Sequence, residues 1–318
     1  MSDVQNNTPH ESPGYRAWLR FKRNRTAVLG ACYLAGLLAV VVAWPILLKI
    51  GPSDFAQLHN PDQLSDAQFA PPDAKHWFGT DIHGRDVFSR LLFGAQISLL
   101  VGAVGALVSL VIGVLWGAIA GYLGGRTDNV MMRIVDVLYS LPAIIFVIVL
   151  ITNLGALLKQ SHFIEHSPAL AGGLRVVLLF VGLGAVSWLT MARIVRGQVL
   201  SLRARAFVEA SRALGARPHW ILARHIIPNI FGVVITYLAL TMPAIILYES
   251  FLSYLGLGVQ PPMASWGTLI AEGVGQINAI RIYWWLIIFP GGILVTTLLA
   301  LNLLGDGLRD AWDIKNRP

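Results

Sequence analysis

Cysteine is almost missing from this chain: Cys32 is the only one in 318 residues. No disulfide can form within the chain, and no cysteine-based zinc cluster can be built. Charge is nearly as scarce. Asp, Glu, Lys and Arg make up 13% of the residues, about half the usual share of a soluble globular protein. Hydrophobic residues make up 55%, and the mean hydropathy is +0.64. A soluble domain of this length needs more charge to cover its surface, which excludes an ordinary cytosolic enzyme; the apolar content excludes disorder. Lysine is rare too. None of Lys22, Lys49, Lys75, Lys159 and Lys315 follows a glycine, so the G-K-[ST] cradle for nucleotide phosphates cannot form. The chain alone is expected to hydrolyse no ATP. Any work against a gradient must then draw on an ion gradient or on another subunit.

What the chain does have is long uncharged stretches. Thr26–Leu48, Leu91–Gly125, Val137–Leu158, Val176–Ala192, Ile226–Tyr248 and Ile282–Gly305 carry no charge. Crossing a bilayer core takes roughly 20 apolar residues as helix, so these predict six transmembrane helices in an all-α polytopic membrane protein. Val176–Ala192 is short and becomes adequate if Arg175 and Arg193 snorkel to opposite interfaces. The uncharged stretch 250–271 holds Gly256, Gly258, Pro261, Pro262 and Gly267; it reads as an extracytoplasmic loop, re-entrant at most. The expected layout is a tail over 1–25, a first helix over 26–50, an extracytoplasmic segment over 51–96, a five-helix core over 97–305 and a tail over 306–318. No cleavable signal peptide is expected, because the first apolar run is too long for one.

The net charge of +7 raises the question of nucleic acid, and the placement of the cations answers it. Five basic residues lie between Arg16 and Arg25, and seven lie between Arg193 and Arg224; with Arg126, Arg133, Arg309, Lys315 and Arg317 these make seventeen of the 24. All fall on one side of a six-span topology, which puts both termini in the cytoplasm by the positive-inside rule. The basic excess is a topology signal and implies no nucleic acid.

Several residues invite a sharper role. Gly113, Gly117 and Gly121 form a small-residue stripe for close helix approach, either within the chain or between subunits. Glu249 is the one acid deep in an expected span, with Tyr248 and Ser253 beside it; it reads either as a buried hydrogen bond or as a pore or gate position. Asp136 stands three residues after Arg133, which predicts a local i,i+3 pair. His162, Glu165 and His166 spell the H-x-x-E-H pattern of inverted zinc proteases. The segment is a short connection flanked by Ser161 and Pro168, with only Glu249 and Glu272 as later acids on that side. It reads as an ordinary connection without metal.

The most informative stretch joins the fourth and fifth expected helices, over 193–228. Phe207, Ala210, Ser211 and Leu214 recur at i, i+3, i+4 and i+7, one weakly apolar face of a short helix. Gly215 stops that helix and Pro218 suits the first turn of the next. A small apolar stripe bordered by arginines either lies on headgroups or fits a partner's groove.

This stretch resembles a known family. Glu209-Ala-Ser, then Gly215, then Pro228 match the E-A-A…G…I-x-L-P pattern of ABC-importer permeases, with Ser211 for the second Ala and His225 and Ile227 for the Ile and Leu. Gly79-Thr-Asp81-Ile-His-Gly84-Arg-Asp86 is similar to the G-T-D-x-x-G-R-D segment of C-type permeases in peptide and nickel importers. The stretches Glu249–Pro262, Ser265–Gly267 and Gly305–Asp310 are similar as well, and Trp188–Gln198 is closest to the oligopeptide branch. The resemblance covers roughly 15–313.

It implies a type I ABC-importer permease fold in a bacterial inner membrane. It implies one half of a pore, completed by a B-type permease. Residues Phe207, Glu209, Ala210, Ser211, Leu214, Gly215 and Pro228 would couple to two ATP-binding subunits, which hold the ATP and Mg; this chain would bind no cofactor. An extracytoplasmic binding protein would deliver peptide, and oligopeptides are the first expectation. Dipeptides, nickel or another small solute are the alternatives. An ion-coupled carrier would need charges in several spans, and an intramembrane enzyme would need a convergent catalytic set.

Overall fold

The computed structural model describes residues 13–160, 168–260, 263–278 and 280–312, and every described secondary-structure element is helical. The H-x-x-E-H residues lie outside the described residues, as do Pro261 and Pro262. Helix α1 (Pro13–Arg23) ends at Asn24, whose side-chain oxygen accepts the Ala27 N–H at 3.2 Å and so starts α2 (Arg25–Ile50). Asn is among the best N-cap residues for this reason. A short α3 (Ser53–Leu58) leads into a long non-helical segment, and Asp86 then caps α4 (Val87–Leu123) by accepting from Ser89 N–H at 2.9 Å. Next come α5 (Gly125–Tyr139), α6 (Ala143–Gln160) and α7 (Pro168–Arg203). The chain finishes with α8 (Ala206–Ala213), α9 (Pro218–Ile221), α10 (Ile227–Tyr254), α11 (Trp266–Val274) and α12 (Trp285–Trp312).

Five helices are long and apolar enough to cross a membrane, and α5 with α6 makes a sixth span bent by 85°. A straight helix over Val137–Leu158 is the expectation that changes. Val137–Tyr139 belong to α5, and the bend falls at Ser140-Leu141-Pro142. Proline has no N–H to donate and disfavours helical backbone at the residue before it, so the break is written in Leu141-Pro142. The fourth span also differs. Rather than stopping near Ala192, α7 runs on to Arg203, so 193–203 are helix and the true connection to α9 is shorter than 193–228. Likewise α4 begins at Val87, inside the expected 51–96 segment.

The core is built on α4. Its glycine stripe packs within the chain: a Cβ on Gly113 would stand 2.6 Å from Met191 Cβ, one on Gly121 2.8 Å from the Arg196 carbonyl oxygen, and one on Gly117 would overlap the Ala192 carbonyl. Only glycine lets α4 and α7 backbones approach this closely. Ser109 Oγ adds a 2.8 Å bond to the Ser187 carbonyl across the same seam. On another face Ile245 and Ile246 of α10 fill the spaces left by Gly105 and Gly102.

Charged side chains organise the two ends. At one end Gly79 and Gly84 adopt φ of 74° and 71°, letting the Asp81 carboxylate accept the N–H groups of His83 (2.8 Å) and Arg85 (3.0 Å). Asp81 also accepts from Arg90 at 2.7 Å, and Arg90 pairs in addition with both oxygens of Glu272 on α11. Thus the G-T-D-x-x-G-R-D stretch is a cross-brace between the 59–86 segment and α11. Buried Asp86 receives His76 Nδ1 at 3.0 Å and faces His59 Nδ1 at 3.3 Å. At the other end Arg203 donates to the carbonyls of Gly121 (3.2 Å) and Tyr122 (3.1 Å), occupying acceptors that the end of α4 leaves open. Asp136 pairs with Arg193 at 2.7 Å rather than with Arg133. The expected local pair gives way to one that ties α5 to α7.

Candidate functional site

The α7–α10 connection contains the element singled out from sequence. Arg205 has extended backbone at the N-cap, and α8 runs two turns before Leu214. Gly215 then takes φ +81°. Its N–H donates to the Arg212 carbonyl at 2.9 Å, and the Ala216 N–H donates to the Ser211 carbonyl at 3.1 Å. This crossed pair satisfies the end of the helix and requires a left-handed residue, which glycine supplies without steric cost. Arg217 has extended backbone, as the residue before a proline favours, and Pro218 opens α9. A π-helical turn over Leu222–Ile226 follows, and Pro228 lies in the first turn of α10.

The expected stripe points outward. Leu214 is 89% exposed and Phe207 41%; Ala210 and Glu209 are also exposed, and Ser211 is half-buried with its hydroxyl donating to the Phe207 carbonyl at 2.8 Å. Among the described residues no ion pair involves Glu209, although Arg205 and Arg212 are within helical reach. Arg212 instead lies over the Tyr122 ring, 5.0 Å from its centroid, with Nε 3.4 Å from the phenol oxygen. Val208 is fully buried in a cluster with Tyr122, Val199, Ile221 and Ile226. His225 from the π turn packs against Trp220 at 4.9 Å between centroids and faces Phe207 at 6.3 Å. The helix is therefore clamped on its inner side and bare on its outer side. Sequence reasoning passed over Val208 and Tyr122; the one available signal was Val208 as the only β-branched residue within the eight of α8.

Glu249 lies elsewhere, in the second half of α10 and fully buried. Its carboxylate accepts Ser98 Oγ at 2.9 Å, Ser253 Oγ at 2.7 Å and Ser250 Oγ at 3.4 Å. The Trp266 N–H in turn donates to Ser98 Oγ at 3.2 Å. Glu249 thereby joins α4, α10 and the first turn of α11. This arrangement favours a buried hydrogen-bond hub. Ser253 is buried with it, while Tyr248 is half-buried and lines a small apolar cavity with Val147, Leu183 and Leu252. Within the 250–271 stretch, residues 250–254 finish α10 and 266–271 belong to α11, which packs on α4, α10 and α12 with Trp266 and Leu269 buried.

The sequence that carries α8 between two apolar spans has relatives among known proteins. Residues 113–317 match the family described as "binding-protein-dependent transport system inner membrane component". The chain belongs to that family. Residues 12–72 of the permease match the N-terminal transmembrane domain of oligopeptide transport permease C. The permease is 43% identical over 299 residues to the oligopeptide transport system permease protein OppC of Haemophilus influenzae, covering 94% of this chain and 87% of that protein. It is 42% identical over 301 residues to the dipeptide transport system permease protein DppC of Bacillus subtilis (95% and 85%). The OppC protein of Escherichia coli is 42% identical over 300 residues (94% and 90%). The permease is accordingly a multi-pass protein of a bacterial inner membrane.

Proposed function

We propose that this chain is the C-type half of the pore in an ATP-driven importer of oligopeptides, and that α8 is where ATP hydrolysis by partner subunits reaches it. The names of the relatives support peptide as cargo, since oligopeptide and dipeptide permeases stand side by side among them. The first 12–72 residues favour the oligopeptide side. The observation that carries the coupling role is the two-sidedness of α8. Val208 and the Arg212–Tyr122 contact fasten it to α4 and to the turn before α10, whereas Ala210 and Leu214 are exposed and Phe207, beside His225, keeps 41% of its surface exposed. A load applied to that outer face passes into the transmembrane helices with little slack.

In this reading the connection and both termini face the cytoplasm, two ATPases supply ATP and Mg chemistry, a B-type permease completes the pore, and a binding protein outside delivers cargo. This chain contributes no catalytic group. Leu214 is the most direct probe. A cysteine at Leu214, in a Cys32→Ser background, should cross-link to a partner ATPase within the assembled complex. Cross-linking only to lipid or to nothing, with the complex intact, overturns the coupling assignment. Identifying what the binding protein holds decides between oligopeptide, dipeptide and nickel.

A further inference from the structure

Helix α1 has a face that the transport cycle described above does not use. Ala17 and Phe21 are buried against Ala27 and Ala311, which fixes α1 beside the end of α12. Trp18, flanking that buried face, is 52% exposed, and Leu19, on the far side, 41%. Trp18 stacks on Phe21 at 6.0 Å, and the Lys22 ammonium lies 5.0 Å from the Trp18 ring centroid. Lys22, Arg23 and Arg25 are exposed, and no acidic residue occurs between Pro13 and Ser53. The single residue Asn24 separates α1 from the first membrane span, so these cations and the Trp18 ring sit where that span begins.

We propose that this face of α1 docks on anionic phospholipid headgroups of the membrane that α2 enters. The occupant follows from charge complementarity and from continuity with α2. An amphipathic helix with cations beside an exposed tryptophan settles at the headgroup level, the ring in the boundary and the cations on the phosphates. Each basic residue close to an anionic surface strengthens binding about fivefold. Lys22, held over Trp18, is placed to bind a phosphodiester while the ring inserts beside it.

The test uses the assembled complex with the full chain, carrying Cys32→Ser and a fluorophore on Leu19→Cys, in nanodiscs. Quenching by headgroup spin-labelled phosphatidylglycerol is compared with that by spin-labelled phosphatidylcholine. The proposal expects phosphatidylglycerol to quench at a much lower mole fraction. Lys22→Gln, Arg23→Gln and Arg25→Gln together should erase roughly a hundredfold preference, while Lys22→Arg with Arg23→Lys keeps it. Equal quenching by both lipids, or a label that neither lipid reaches because another subunit covers it, overturns the proposal. Neither ATP nor peptide enters the measurement, so its failure is separate from failure of the importer reading.

Discussion

Gly215 and Glu209 make different demands on the structure. At Gly215 the backbone is left-handed at φ +81°, while the space where a Cβ would stand is open. A side chain there costs about 1 kcal/mol through conformation alone. Glu209 is exposed and makes no ion pair among the described residues, and even a formed surface pair is worth only about 0–1 kcal/mol. Folding is thus nearly indifferent to both. Glu209→Lys and Gly215→Asp are expected to leave the chain inserted and its complex assembled, with peptide uptake falling sharply. Uptake measured beside ATPase recovery in the same membranes checks this; normal uptake in both variants removes α8 as the coupling element. Glu249 behaves in the opposite way. Its carboxyl group bonds three serine hydroxyls in a buried site, and leaving a buried partner unsatisfied costs about 1–3 kcal/mol. Glu249→Gln should lower the thermal midpoint of the detergent-solubilised complex and reduce its yield, while uptake per assembled complex holds. A complex of full stability that no longer transports would place Glu249 at a gate.

At the scale of elements, the α4–α7 seam has almost no tolerance. Gly117 sits against the Ala192 carbonyl, which is backbone and cannot swing aside. Gly117→Val should cost about 1–3 kcal/mol or more through overpacking, read as a lower midpoint in size-exclusion thermal challenge. Gly125→Ala, where nothing lies within contact of the added methyl, should be milder, carrying only the conformational cost of its positive φ. Much of this level was legible beforehand. Absence of charge over about 20 residues marks a span whatever it packs against, and so α2, α4, α10 and α12 fall where charge-free runs put them. The α5–α6 bend was not read, because a hydropathy window treats Leu141-Pro142 as two more apolar residues. Nor was the extension of α7 to Arg203: Arg193 and Arg196 look like an end until Asp136 and Asp128 supply partners from another helix. Charge scarcity predicts where lipid lies, not which acid meets which arginine.

For the whole molecule, the contacts set out a division of labour between two ends. Trp312 at the end of α12 packs against Gly232 and Phe231 early in α10, and Tyr122 at the end of α4 meets Arg212. Helix α1, the α4–α5 turn, α8 and the end of α12 therefore gather at one end, as the count of cations had suggested. The Arg90–Glu272 brace and α11 lie at the other. Sequence motifs located both ends, yet only the contacts distinguish their tasks: the G-T-D-x-x-G-R-D stretch braces the molecule, whereas the Glu209–Gly215 stretch leaves its outer face bare. The central claim is that this chain moves cargo only when ATPases act on it through that face. It is tested most directly by purifying the chain with whatever binds it and reconstituting it in liposomes with binding protein and peptide. The account predicts two ATPase subunits and a second permease in the purified complex, and peptide accumulation that stops when ATP is withheld. Accumulation by the chain alone, driven by an ion gradient without ATP, would contradict it.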